Sequence, residues 1–252
     1  MQIITVSIAK GGTGKSATAA ALSQAAAAAG KKVLAIDLDP QANLSYFIGA
    51  DQNELGAYQL FTGTPAAQLI QHTAQGIDAI AASPDLATLK TTPASAMRLR
   101  DAIAPIKESY DLIMIDTAPT IGEALFNALQ ASTGLLIPLE TDNSSLQGLY
   151  QITDIASQIQ RTNPALQVLG AILTRYDNRP KINRFMRDTI AEKGQEIGAP
   201  LLGEIRAGVS IREANAMQQS LFEYAPTSKP AQDYKALYDK IKKRGKQNGK
   251  KV

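Results

Sequence analysis

The stretch Ala9-Lys10-Gly11-Gly12-Thr13-Gly14-Lys15-Ser16 decides the fold of this 252-residue chain. It lies between an apolar run at residues 3–8 and an alanine-rich run at residues 17–29. The first run is typical of a buried strand and the second of a helix. A glycine-rich turn that opens a helix directs several backbone N–H groups to one point, where the helix dipole adds partial positive charge. The sequence therefore predicts a phosphate-binding loop between the first strand and the first helix.

The loop matches the core of the P-loop pattern, although Ala9 stands where the full pattern has glycine. We expect Lys15 to reach the β- and γ-phosphates of a nucleotide and the Ser16 hydroxyl to bind Mg²⁺. The predicted nucleotide contacts in this loop are Lys10, Gly11, Gly12, Thr13, Gly14, Lys15, Ser16 and Ala17. Lys10 is a second lysine at the outer edge of the loop, and we expect it to point away from the phosphates that Lys15 holds.

Carboxylates follow two further apolar runs. Asp37 and Asp39 lie on one face of the second predicted strand by alternation, and Pro40 ends that strand. Residues 110–119 contain four apolar residues followed by Asp116, an arrangement typical of a Walker B strand that delivers one carboxylate to Mg²⁺. Because open α/β sheets bind ligands at the carboxyl ends of their strands, these acids are predicted to lie beside the P-loop.

Apolar runs alternate with helical stretches along the whole chain, which is typical of a parallel sheet covered on both faces. The predicted strands are 3–8, 33–38, 77–81, 112–115, 135–138, 168–173 and 201–205, and the predicted helices are 17–29, 94–107, 123–131, 144–160, 180–193 and 229–243. The length suits one α/β domain. We predict an α/β fold with a doubly wound, mostly parallel sheet and helices on both faces. A single P-loop domain is predicted at residues 1–243, followed by a basic, disordered tail at residues 244–252.

Composition excludes several classes of protein. The chain has no cysteine, so disulfides, zinc–thiolate sites and iron–sulfur clusters are excluded. It has no run of 18 apolar residues, and its N-terminus lacks a basic segment before an apolar one, so neither a spanning helix nor a secretory signal is predicted. We expect a cytoplasmic protein.

The net charge is only +3, but the C-terminal region from Lys229 carries nine basic and two acidic residues. Such a region attracts polyanions, either nucleic acid or an anionic membrane, and the alternative is a solvated end without a partner. Membrane binding needs a bulky apolar face. The stripe formed by Tyr234, Leu237, Tyr238 and Ile241 has helical spacing that favours packing on the domain. Membrane attachment is therefore not favoured.

A second basic surface is predicted on the helix after residue 180, where Lys181, Arg184 and Arg187 share one face. These side chains suit contacts to DNA backbone phosphates that do not read the bases. The other candidate DNA contacts are Arg206, Arg212, Lys242, Lys243, Lys246, Lys250 and Lys251.

The two-lysine loop, together with the boxes at residues 37–43 and 110–119, resembles the ParA/MinD family of deviant Walker A ATPases over about residues 1–238. The resemblance implies ATP and Mg²⁺ as ligands and an ATP-sandwich homodimer in which Lys10 crosses the interface. It implies that Asp39 activates the attacking water and that Asp37 lies near the metal and the loop. The implied metal set is Ser16, Asp39 and Asp116, and the implied base-side contacts include Arg175 and Arg206.

The expected activity is slow ATP hydrolysis with Lys10, Lys15 and Asp39 as catalytic residues. The short ParA proteins of this family imply DNA partition: a dimer in the ATP state binds DNA nonspecifically at the nucleoid, and a ParB-like centromere-binding partner stimulates hydrolysis. One alternative is a MinD-like ATPase that positions a membrane or surface complex. Another is a small-molecule kinase or ligase, which needs an acceptor pocket with its own catalytic groups. An iron–sulfur reductase built on the same loop is excluded because it requires cysteine ligands.

Overall fold

The fold is a twisted sheet whose central strand leads into the P-loop. The computed structural model describes residues 1–52, 55–90 and 96–248, with side chains up to Arg244. The strands are β1 (Gln2–Val6), β2 (Val33–Leu38), β3 (Gln71–His72), β4 (Asp78–Ile80), β5 (Leu112–Thr117), β6 (Gly134–Leu139), β7 (Gln167–Tyr176) and β8 (Leu201–Arg206). Their order in the sheet is β3-β4-β2-β5-β1-β6-β7-β8. Every pair is parallel except β3 with β4.

Helices cover both faces of the sheet, as the sequence predicts. They are α1 (Lys15–Ala28), α2 (Asn43–Ile48), α3 (Tyr58–Thr62), α4 (Arg98–Ile103), α5 (Glu123–Ala131), α6 (Asn143–Ile159), α7 (Lys181–Glu196), α8 (Ser210–Ala216), α9 (Leu221–Tyr224) and α10 (Lys229–Asn248). One apolar core joins the sheet to α1 and α10, and two further cores join the opposite face to α3–α5 and to α5–α7. Neighbouring residues such as Ile3 and Ile4 enter different cores, so the strands are buried on both sides.

The strand order places the functional loops together. Because β2, β5 and β1 are neighbours and parallel, their carboxyl ends meet at one edge of the sheet. Val6 is paired with Asp116, and Asp116 is paired with Asp37, so the P-loop and the two acidic segments follow adjacent positions. The predicted juxtaposition of the three boxes is therefore present in the fold.

Some element boundaries differ from the sequence prediction. The helix predicted at 94–107 is represented by α4 and a short 3₁₀ helix at Lys107–Ser109, while residues 94 and 95 lie outside the described part of the chain. Helix α10 continues to Asn248, although a disordered tail was expected from residue 244. Arg244 still contacts the domain, because its Nη1 donates to the Leu169 carbonyl at 2.6 Å. Residues 249–252 lie outside those described, so the division into domain and tail stays a prediction.

The apolar stripe of α10 packs on the domain, as its spacing indicates. Tyr234, Leu237 and Ile241 are buried in the same core as α1, and the Tyr234 hydroxyl lies 3.1 Å from the Thr18 hydroxyl. Within the described residues, none of the helices combines the length and the apolar character needed to cross a bilayer.

Candidate nucleotide site

The P-loop has the backbone conformation that a phosphate cradle requires. Gly12 and Gly14 have φ of 77° and 81°, a left-handed conformation that glycine adopts readily and other residues do not. Helix α1 begins directly after Gly14, and no described side chain caps its N-terminus. The first N–H groups of α1 are therefore not engaged by a capping side chain, and this end of the helix suits an anion.

Lys15 lies inside the loop rather than on the surface. Its side chain is buried, and its Nζ donates to the Lys10 carbonyl at 2.8 Å. Burial lowers the pKa of Lys15, while the charges of Asp116 and Asp39 act in the opposite direction. The ammonium thus lies within electrostatic reach of both carboxylates.

Asp116, at the end of β5, has the environment that points most clearly to cation binding. It is fully buried, and neither carboxylate oxygen accepts a hydrogen bond of normal geometry from any described residue. Burial, followed by the charge of Asp37, raises its pKa well above the usual value, although the neighbouring Ser16 hydroxyl and Lys15 ammonium act in the opposite direction. Buried polar groups are almost always satisfied, and a carboxylate beside a hydroxyl is the oxygen donor set that Mg²⁺ prefers. These residues therefore fit Mg²⁺.

Asp37 has a different environment from Asp39. The Asp37 carboxylate accepts from the Asp39 N–H at 3.0 Å, and from the Ser45 N–H and hydroxyl at 2.8 Å each. Burial raises the pKa of Asp37 in spite of these bonds. Asp39 accepts only from the Gln41 N–H, at 3.0 Å, among the described residues. Asp37 therefore anchors the start of α2, and Asp39 keeps an oxygen available beside the loop.

Lys10 is held by its own chain. Its Nζ donates to Asp142 Oδ2 at 2.5 Å and to the Ser145 hydroxyl at 3.1 Å, and Glu140 lies 3.9 Å away. Asp142 is also the N-cap of α6, where it accepts from the Ser145 N–H at 2.7 Å. Burial acts to raise the pKa of Asp142, but the bonds from Lys10, Ser145 and Ser144 outweigh it and hold this pKa well below the usual range. For the role expected across a dimer interface, the Lys10 ammonium has to leave Asp142.

The two arginines predicted on the base side lie on adjacent strands and have different partners. Arg175, at the end of β7, donates to the Gly12 carbonyl of the P-loop and to the Glu140 carboxylate. Arg206 forms a bidentate pair with Asp233 of α10, with nitrogen–oxygen distances of 2.7 and 2.9 Å. Contact with a nucleotide base stays a prediction for both residues.

Four residues at the site were not predicted as site residues from the sequence: Glu140, Asp142, Thr174 and Ser45. The Thr174 hydroxyl donates to the Thr13 carbonyl at 2.8 Å and supports the P-loop from β7. Asp142 had a usable signal, because an aspartate directly before a helix is a preferred N-cap. The partners of Glu140 and Thr174 are 35 or more residues away in the chain, and Ser45 lies eight residues from Asp37. No local pattern identifies these pairs.

The predicted DNA contacts lie in several environments. Lys181 and Arg184 are exposed on α7, and Arg184 Nη1 donates to the carbonyls of Asn178 and Arg179. Arg187 pairs with Glu204 and Asp188 at 2.8 Å each, so its charge is compensated. Of the others, Arg212 and Lys243 are exposed and Lys242 is half-buried. The Lys246 side chain and residues Lys250 and Lys251 lie outside the described part of the structure.

A mostly parallel sheet with a P-loop after its central strand and a buried aspartate at the end of the neighbouring strand is typical of P-loop nucleotide-hydrolysing proteins. A family model described as an AAA domain matches residues 1–168. The chain is 32% identical over 235 residues to the chromosome-partitioning ATPase Soj of Thermus thermophilus, covering 92% of each protein.

Two solved structures share the fold over almost their whole length. One is the septum site-determining protein MinD of Pyrococcus horikoshii complexed with Mg-ADP, with 26% identity, 97% coverage of each chain and a TM-score of 0.79. The other is a cobyrinic acid a,c-diamide synthase of Mycobacterium smegmatis with bound ADP and magnesium, with 26% identity, 98% and 96% coverage and a TM-score of 0.83. The chain belongs to the ParA/MinD family of P-loop ATPases. It is an ATPase that uses ATP and Mg²⁺, which confirms the predicted cofactors.

Proposed function

We propose that this protein is a DNA partition ATPase that binds DNA nonspecifically as a homodimer in its ATP state. The observation that carries the proposal is the likeness to Soj along 92% of both chains, combined with the second lysine in the P-loop. A ParB-like centromere-binding protein is the proposed partner, and the nucleoid within the cytoplasm is the proposed location.

The geometry of the site supports a role for each of its residues. Lys15 binds the terminal phosphates, and Ser16, Asp39 and Asp116 are the proposed metal ligands. Magnesium supplies charge neutralisation for phosphoryl transfer when it is bound. Asp39 has an oxygen available beside the P-loop and orients or deprotonates the attacking water, while Asp37 holds the loop that carries Asp39. Such proton transfer contributes about 10²- to 10⁴-fold to the rate.

Dimer formation gives Lys10 its role in the proposal. In the single chain its charge is compensated by Asp142. A second ATP-loaded copy offers a stronger anion, the triphosphate, and Lys10 then transfers from Asp142 to the partner's nucleotide. Two copies joined in this way double the number of exposed basic side chains on one particle, which increases nonspecific affinity for DNA because phosphate contacts add.

A filter-binding assay with random DNA in MgATP or MgADP, repeated across a salt series, tests this function. We expect binding in ATP that weakens steeply with salt, and little binding in ADP. Asp39→Ala is expected to prolong DNA binding because hydrolysis is lost. Lys15→Ala is expected to abolish DNA binding. Asp85→Ala, at an exposed acid, is the matched control. Equal binding in ATP and ADP would contradict the proposal.

A small-molecule ligase is the second candidate, favoured by the likeness to the cobyrinic acid a,c-diamide synthase. It predicts ATP turnover that responds to a carboxylic acid acceptor and an amine donor and does not respond to DNA. The same DNA-binding and turnover measurements therefore distinguish the two functions.

A further inference from the structure

Two consecutive side chains at the end of β7 hold two consecutive carbonyls of the P-loop. The Thr174 hydroxyl donates to the Thr13 carbonyl at 2.8 Å and to the Leu139 carbonyl at 3.1 Å. The Arg175 guanidinium donates to the Gly12 carbonyl. In an anion-binding loop the N–H groups point at the ligand, so the carbonyls need donors on the other side. Thr174 and Arg175 provide those donors.

Arg175 adopts an uncommon backbone conformation to do this. Its φ is 51°, in the left-handed region that is unfavourable for a residue with a side chain. Only Ala42 and Gln218 share a positive φ among the non-glycine residues of the described chain. Backbone strain of this kind persists where surrounding contacts over-determine it, and it concentrates at functional sites.

Glu140 fixes the Arg175 side chain from the opposite direction. Its carboxylate accepts from the same Arg175 nitrogen, Nη2, that donates to the Gly12 carbonyl. The guanidinium is still 57% exposed, so the contacts rather than burial fix its place. By contrast, Arg179, four residues further on, is 86% exposed and pairs with Asp177 instead.

We propose that Arg175 is a positioning residue for the phosphate-binding loop, which together with Thr174 keeps the P-loop N–H groups aimed at the phosphates. This role differs from the base-side contact that the family resemblance implies for Arg175. It rests on the ATPase activity and is independent of DNA partition.

The test measures binding of a ligand that has phosphates and no base. Titration calorimetry with inorganic tripolyphosphate and with MgATP is performed on the wild-type protein, Arg175→Ala and the control Arg179→Ala. We expect Arg175→Ala to weaken both ligands by a similar factor, about tenfold for the loss of one charge-assisted hydrogen bond. Arg179→Ala is expected to bind both as the wild type does. In turnover assays the loss is expected in KM, with kcat nearly unchanged.

Two outcomes would overturn the inference. If Arg175→Ala weakens MgATP and leaves tripolyphosphate unchanged, Arg175 contacts the base or the ribose. If neither ligand is weakened, the guanidinium has no positioning role. The variant Arg175→Gly tests the guanidinium apart from the backbone strain. Glycine relieves the strain, so we expect the folded protein to be more stable while its affinity for both ligands falls as in Arg175→Ala. Wild-type affinity for both ligands in Arg175→Gly would contradict the inference.

Glu140→Gln and Arg175→Lys keep the test decisive if the alanine variant fails to fold. Lysine retains the charge but presents a compact ammonium in place of the planar guanidinium, so we expect weakened binding of both ligands. In Glu140→Gln, glutamine keeps the shape of glutamate but removes the charge that orients Arg175. We expect this variant to bind tripolyphosphate and MgATP more weakly, by the same factor for each. Wild-type affinity for tripolyphosphate in both variants would contradict the inference.

Discussion

At the scale of single residues, the site is built from buried charges that are incompletely satisfied in the protein alone. Asp116 has no hydrogen bond of normal geometry from the described residues, and Lys15 is desolvated in the loop next to it. A folded protein tolerates such groups where a ligand compensates for them. The stability of the protein without nucleotide and its affinity for MgATP are therefore opposed.

Asp116→Asn is expected to stabilise the protein while abolishing hydrolysis. The folded-state pKa of Asp116 is raised above its unfolded value of about 3.9, so ionisation of this group destabilises the fold progressively as the pH rises. Asparagine removes that cost, which we place at about 1–3 kcal/mol at pH 8. Urea unfolding at pH 5 and pH 8 checks this: the advantage of the variant should be larger at pH 8. A variant less stable than the wild type at pH 8 would show that Asp116 is satisfied in the folded state.

At the scale of elements, the sequence predicts the parts that follow a local pattern. The seven predicted strands are all present, and most of them are largely apolar runs buried on both faces. Strand β3 has two residues and short helices such as α2 have one or two turns, so no periodicity could indicate them. The partners of Lys10 and Arg206 lie 132 and 27 residues away in the chain, which explains why their ion pairs were not predicted.

Ser45→Ala tests whether Asp37 acts by anchoring α2. The Ser45 hydroxyl donates to Asp37 and accepts from the Ala82 N–H at 2.9 Å, and all three groups are buried. Loss of the Ser45 hydroxyl is expected to lower the free energy of unfolding by about 1–2 kcal/mol. It is also expected to slow hydrolysis, because α2 follows the loop that carries Asp39. Ser157→Ala, at an exposed helix position, is the control for denaturant unfolding and turnover. Unchanged turnover in Ser45→Ala would separate α2 from the catalytic loop.

Asp142→Asn tests the restraint on Lys10. Asparagine is as good an N-cap as aspartate, so α6 should keep its stability within about 1 kcal/mol, while Lys10 loses its counter-charge. We expect the variant to dimerise in MgATP at lower protein concentration than the wild type, as measured by sedimentation velocity. Asp154→Asn, at an exposed position of α6, is the control. Weaker dimerisation would instead mean that Asp142 assists Lys10 in the dimer.

At the scale of the whole molecule, one edge of the sheet carries every proposed ATPase function. The P-loop, the two acidic segments and the loop that begins α6 meet where β1, β2, β5 and β6 end. In the proposed dimer, a second copy lies over this edge and covers both nucleotides. We propose that the nucleotide controls the assembly and that the assembly controls the affinity for DNA.

The mass of the particle in MgATP tests this account most directly. Sedimentation velocity is performed on Asp39→Ala, which retains ATP, on Lys10→Ala/Asp39→Ala, and on Lys90→Ala/Asp39→Ala as the control at an exposed lysine. We predict that Asp39→Ala and the control sediment at twice the monomer mass, and that the Lys10 variant binds ATP but stays a monomer. A monomer of Asp39→Ala with ATP bound, or equal dimerisation without the Lys10 side chain, would contradict the account.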